Sequence, residues 1–189
     1  MYLTRITDTL IENNLIYNNS KGIYLSLADM NFITNNTVKD NLNNGIQLDE
    51  SNQNYIENND IINNEGYGVE INDPSQENDI YLNDFISNNG TSSPYDEAAD
   101  FSSNPNHWFA SLWRELGNYW DNWYDFNDDD QDGNYNGPYT VYNMGKTDDF
   151  PLVYSHSYYD PMEIHVDDDY SSSTTGWNVT RFNKTQAGI

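Results

Sequence analysis

Three glycines, Gly22, Gly45 and Gly68, stand 23 residues apart (45 − 22 and 68 − 45), and each opens an apolar-x-apolar triplet: Ile23-Tyr24-Leu25, Ile46-Gln47-Leu48 and Val69-Glu70-Ile71. Two further columns keep the same register. Asn14, Asn36, Asn59 and Asn83 each precede, by two residues, Ile16, Val38, Ile61 and Phe85, while Asn31, Asn54 and Asn78 precede Ile33, Ile56 and Ile80. Each repeat therefore offers three short apolar stretches separated by Asn, Gly, Asp and Ser, residues that tolerate turns and left-handed backbone. Stretches this short cannot form helices. A period in the low twenties with β-branched residues at the buried positions predicts an all-β chain: a right-handed, single-stranded parallel β-helix, or solenoid, with three strands per coil. Equivalent asparagines would then stack about 4.8 Å apart and hydrogen-bond along the column. A leucine-rich repeat has an overlapping period, but its helical side would have to come from segments such as Asn41-Leu42-Asn43-Asn44, which are poor helix formers.

Charge narrows the partners. With 31 acidic against 7 basic residues the net charge is −24, which argues against nucleic acid and against an anionic bilayer. Metal cations are the natural counter-charge. There is no cysteine, hence no disulfide framework and no thiolate metal site. No apolar run reaches the roughly 18 residues of a membrane span.

The chain starts in register: Tyr2-Leu3 aligns with Tyr24-Leu25, and Ile11 with Ile33. An open first coil with unpaired strand edges is expected from this, and it suggests end-to-end self-association. Coils are expected over 1–89, an aromatic cap over 90–159, and a linker with the start of a further β-helix domain, or a docking segment, over 160–189. The second region holds Trp108, Trp113, Trp120 and Trp123. Two readings of these rings stand side by side. They close the apolar end of the last coil, or they form a platform on which sugar rings stack, for which Tyr24, Tyr67, Trp108 and Trp113 are the candidates.

The strongest chemistry lies in Asp128-Asp129-Asp130-Gln131-Asp132-Gly133-Asn134-Tyr135-Asn136. Carboxylates at alternate positions followed by glycine make the first half of a calcium loop. Asp128, Asp130 and Asp132 would supply carboxylates, Asn134 its carbonyl, and Asn136 a direct or water-mediated contact to Ca2+. Position 12 is Tyr139 rather than a glutamate, so Asp121, Asp125, Asp148 or Asp149 would have to complete the shell.

Together, Gly117-Asn118-Tyr119-Trp120-Asp121, the Asp-rich loop, Gly137-Pro138-Tyr139 and Asp149-Phe150-Pro151-Leu152 resemble the closing segment of NosD-like right-handed parallel β-helix domains of archaeal and bacterial surface and periplasmic proteins. The coils resemble the same family's repeats. The string from His165-Val166-Asp167 to Gly176-Trp177 and Gln186 looks like the opening of another such domain. The resemblance implies an extracellular or cell-surface setting and a multi-domain context, and no particular reaction. Copper handling, associated with the family name, would have to use His107, His156 and His165, which are far apart and lack metal-ligand spacing.

On enzymatic function, Asp49 and Glu70 fall on adjacent outward columns, and diagonal neighbours lie about 7–8 Å apart. That separation suits an inverting glycosidase. In a chain this acidic, one such pair arises by chance, and the expectation is a protein that is not an enzyme. Glycosylation sequons occur at Asn18, Asn35, Asn89, Asn178 and Asn183, the first two in turns. The sequence thus predicts a non-catalytic, calcium-stabilised module with a structural or adhesive role, self-assembling into head-to-tail filaments. A polysaccharide-binding module and a polysaccharide-active enzyme are the rival readings.

Overall fold

The computed structural model describes residues 1–90, 96–110, 116–123, 134–142 and 145–155. Four regular coils come first. Coil 1 contains β1 (Tyr2–Thr4), β2 (Leu10–Glu12) and β3 (Leu15–Tyr17); coil 2 contains β4 (Ile23–Ser26), β5 (Phe32–Thr34) and β6 (Thr37–Lys39). Coil 3 repeats them as β7 (Ile46–Asp49), β8 (Tyr55–Glu57) and β9 (Asp60–Ile62), and coil 4 as β10 (Val69–Ile71), β11 (Asp79–Tyr81) and β12 (Asp84–Ile86). Equivalent strands pair in parallel, Ile23 on Ile46 and Ile46 on Val69 in the first sheet, Ile33 on Ile56 in the second, Val38 on Ile61 in the third. The chain is a parallel β-solenoid of the right-handed type, and residues one period apart lie directly over one another. The segment Asn41–Asn44, which a leucine-rich repeat would need as a helix, forms the bend between β6 and β7.

The repeat does not stop at Asn89. β13 (Ala98–Asp100) adds to the first sheet on β10, His107 bridges to Asp79 in the second, and β14 (Tyr119–Trp120) adds to the third on β12. These rungs make a fifth coil whose spacings stretch to 29 (98 − 69), 28 (107 − 79) and 35 (119 − 84) residues. A hairpin of β15 (Tyr139–Val141) and β16 (Lys146–Asp148) follows, antiparallel.

Alternation places Ile23, Leu25, Ile46, Leu48, Val69 and Ile71 inside, fully buried, with the Ile33/Ile56/Ile80 and Val38/Ile61/Phe85 columns meeting them in one continuous core. The three bends per coil follow a common rule. The residue just before a ladder position has positive φ: Asn35 before Asn36, Asn58 before Asn59, Asp40 before Asn41, Met30 before Asn31. Asn and Asp tolerate this conformation, whereas Met30 and Leu27, at φ 56 and 55, adopt it at a cost of about 1–2 kcal/mol.

The glycine column serves another purpose. None of Gly22, Gly45 and Gly68 has positive φ. At Gly45 a Cβ would stand 2.7 Å from the Gly68 carbonyl oxygen and 2.8 Å from Asn64 Nδ2. At Gly68 it would stand 2.8 Å from the Phe85 ring. Close approach of coil to coil, rather than backbone freedom, demands glycine here.

Candidate functional site

Three asparagine ladders run through the bends: Asn14-Asn36-Asn59-Asn83-Asn118, Asn31-Asn54-Asn78-Asn106 and Asn19-Asn41-Asn64-Asn88. The first two follow the columns legible in the sequence. The third was missed, although Asn41, Asn64 and Asn88 recur at spacings of 23 and 24 residues (64 − 41, 88 − 64). All three have the same polarity. In each rung the backbone N–H and the side-chain Nδ2 donate to Oδ1 of the next coil, as Asn59 does to Asn83 at 3.1 and 2.9 Å. Nδ2 also donates back to a backbone carbonyl of the preceding coil, Ile33 O for Asn59 at 2.9 Å.

Because an amide both accepts and donates, a rung passes the requirement on, and the ladders stop where the acceptor is a carboxyl oxygen. Each ladder reaches a buried carboxylate. Asn88 donates from its backbone N and Nδ2 to Glu97 Oε2 at 2.9 and 2.8 Å. Asn118 donates to Asp148 Oδ2 at 2.7 Å from its backbone, and Trp120 Nε1 joins at 2.9 Å. Asn106 Nδ2 reaches Asp100, whose Oδ1 is also held by Ser102. Burial lifts Glu97 to about 8 and Asp148 to about 7, against the pull of these donors. The proximity of Asp121 raises Glu97 further.

These contacts bear on those sequence candidates that lie within the described residues. Asp148 cannot complete a calcium shell, since it is fully buried and occupied by Asn118, Trp120 and the Phe150 N–H. Asp121 holds the Ser87 backbone and hydroxyl at 2.9 and 3.0 Å. Asn134 is buried and bridges Leu152, and Asn136 is exposed. Asp125, Asp128, Asp130 and Asp132, like Trp113, lie outside the described residues.

Two of the four sugar-stacking candidates, Tyr67 and Trp108, are spent on the core. Tyr67 is 2% exposed and packs against Phe101 and Tyr142, both with ring centroids 6.1 Å away. Trp108, 1% exposed, donates its indole N–H to Asp100 and packs beside Phe85 and Trp120. Trp120 is sandwiched, 4.2 Å from Phe85 and 3.9 Å from Tyr139. The faces of Tyr67 and Trp108 are thus covered, so neither offers a platform. Tyr24 is partly exposed, but Lys21 Nζ sits 4.6 Å from its centroid and Tyr2 packs 5.0 Å away.

On the outward face of the first sheet, the columns Tyr24/Gln47/Glu70 and Ser26/Asp49 appear as the spacing predicts. Asp49 accepts from the Tyr24 hydroxyl, from Gln47 Nε2 at 3.1 Å and from Asn72 Nδ2 at 2.7 Å. Asn72 Nδ2 also reaches Glu70 Oε1 at 2.9 Å, so one amide bridges the two carboxylates where an inverting enzyme would hold water. Burial pulls the Asp49 carboxyl upward, but hydrogen bonds from Tyr24, Asn72 and Gln47, with the Lys21 charge, outweigh it and leave it below the usual range. That is the opposite of what a general acid needs.

The family described as periplasmic copper-binding protein (NosD) has a model that matches residues 1–124. No curated protein and no solved structure matches the chain. Copper itself finds no suitable donor set among the described residues: cysteine is absent from the chain, and no three His, Asp or Glu side chains are grouped to hold a metal. The one described histidine, His107, places Nδ1 2.7 Å from Asp79, and His156 and His165 lie outside the described residues. The matched stretch coincides instead with the five coils through β14, and it covers 124 of the 189 residues. On these coils the chain belongs to the NosD family.

Proposed function

We propose that the chain is a non-catalytic β-helix module of an extracytoplasmic, cell-surface protein, serving structure and adhesion and stabilised by one calcium ion. One observation carries the reading. The asparagines of the three ladders are consumed by one another, and the most enzyme-like pair, Asp49 and Glu70, is tied by Asn72. Chemistry of this kind holds a column together rather than turning over a substrate. The family description, periplasmic, supports a setting outside the cytoplasm. No helix of the described residues is long and apolar enough to cross a membrane.

In this reading Phe85, Trp108, Trp120 and Tyr139 cap the core, and the adjoining loop binds Ca2+ through Asp128, Asp130 and Asp132 with Asn134 and Asn136. One divalent ion relieves repulsion in a chain of net charge −24. Binding to the folded state alone adds about 2.7 kcal/mol at a hundredfold excess over Kd. The test is the thermal midpoint in calcium and in excess chelator, for the natural chain and for Asp130→Asn with Asp132→Asn. A midpoint several degrees higher in calcium, lost in the variant, is expected. A midpoint indifferent to chelator removes the calcium. Glycoside turnover by purified chain that disappears in Asp49→Asn would remove the non-catalytic reading.

A further inference from the structure

Along the corner between the first and second sheets runs an open groove of about 410 Å³. Each coil contributes two residues to it: Leu27 and Asp29 from coil 2, Glu50 and Asn52 from coil 3, Pro74 and Gln76 from coil 4. Asn104 of the fifth coil also lines it. We propose that this groove binds a neutral saccharide chain, and the proposal stands independently of the calcium reading.

The lining supports that chemistry. Two carboxylates and three amides face the groove beside two apolar side chains, and no cation lines it. Carboxylates accept from hydroxyls and amides both accept and donate, which suits the dense hydroxyl pattern of a sugar. Leu27, 40% exposed, and Pro74 give apolar contact for pyranose C–H surfaces. Asp29 and Asn52 are held in place before any ligand arrives. Asn52 donates from its backbone N and its Nδ2 to Asp29 Oδ1 at 2.8 and 3.0 Å, while its Oδ1 accepts the Gln76 backbone N–H at 3.0 Å. This outer ladder points toward coil 2, opposite to the inner Asn31-Asn54-Asn78 ladder at the same bend. Fixed partners reduce the ordering cost of binding.

Shape and charge select among ligands. Polar rungs recur once per coil, about 4.8 Å apart, so the groove suits a linear ligand with repeating polar groups. Its volume is that of a small-molecule site, although it is open along its length. Asp29 and Glu50, in a chain of net charge −24, repel uronates, phosphates and nucleic acid. A peptide adding as a strand would need an unpaired sheet edge, and this corner is made of bends.

Isothermal titration of the purified chain with hexasaccharides of β-linked glucose, mannose, xylose and galactose tests the assignment. Hexagalacturonate and hexalysine serve as charged comparators. Saturable binding of at least one neutral hexasaccharide is expected, weakened tenfold or more in Glu50→Gln with Gln76→Ala, two exposed positions whose replacement keeps the circular dichroism and melting midpoint of the natural chain. A Glu12→Gln control, at an exposed position of β2 in coil 1, should bind as the natural chain does. The proposal is overturned if no neutral hexasaccharide binds, if the double variant binds within twofold of the natural chain, or if only hexalysine binds, which would reduce the groove to negative charge.

Discussion

The four regular coils and the aromatic layer that follows them solve one problem in two ways. Both must satisfy buried backbone and side-chain polar groups around a narrow core. In the coils, identical amides do this by repetition, each accepting from the coil before and donating to the coil after, as in Asn36-Asn59-Asn83. In the layer, the repetition has to end, and Glu97, Asp148 and Asp100 end it as acceptors. The core changes in parallel. The column Val38-Ile61-Phe85 continues into Trp120 and Tyr139, so aliphatic side chains give way to stacked rings with larger buried area per residue. A repeating ladder is thus stabilised by sameness, and its last rung needs different chemistry.

Exchanging the two solutions is the severest test. Asn59→Asp places a terminator in the middle of a ladder, buries a charge and removes donors to Ile33 O and Asn83 Oδ1. It should cost about 3–5 kcal/mol, read from denaturant unfolding. A loss under 1 kcal/mol would show that the ladders do not need donors in every rung. Gly45→Ala tests close approach in the coils, where the new Cβ meets the Gly68 carbonyl. A loss of about 1–3 kcal/mol is expected by the same measurement.

The reverse exchange, Asp148→Asn, should be mild, about 1 kcal/mol at pH 6, because the amide oxygen still accepts from Asn118 and Trp120. Its informative readout is pH. Glu97 and Asp148 hold their protons to about 8 and about 7, above the ordinary carboxylate range. Between that range and about pH 8 the folded chain therefore binds more protons than the unfolded one, and stability falls as pH rises. The melting midpoint should decline from pH 5 to pH 8, and Asp148→Asn should flatten that slope. An unchanged slope in the variant would assign the dependence to other groups. The smallest effect is a gain: Met30→Asn, at φ 56 and 41% exposed, should stabilise by up to about 1 kcal/mol. Destabilisation there would show that the thioether packs against something worth more than the backbone relief.

Much of the coil architecture was legible because a solenoid places residues one period apart in contact, so that linear spacing is spatial adjacency. Ile23, Ile46 and Val69 stack as the 23-residue spacing requires, and the Asn36 and Asn54 columns pair as expected. The fifth coil was hidden because its spacings of 28 to 35 residues contain insertions, and a period search ends where the period changes. The site was less legible for a related reason. Tyr67 and Trp108 have the composition of a sugar platform, and only the position of Phe101, Tyr142 and Trp120 shows that their faces are covered.

What the chain's linear order determined by itself is the column: its period, its inward aliphatic residues, and the asparagines at its bends. Tertiary structure alone decided which acids end the asparagine ladders, since Asp148 lies 30 residues from Asn118 (148 − 118) and nothing local distinguishes it from its neighbour Asp149. The physical reason is that repetition encodes neighbours in the spacing itself, whereas termination depends on a single long-range contact that no spacing records.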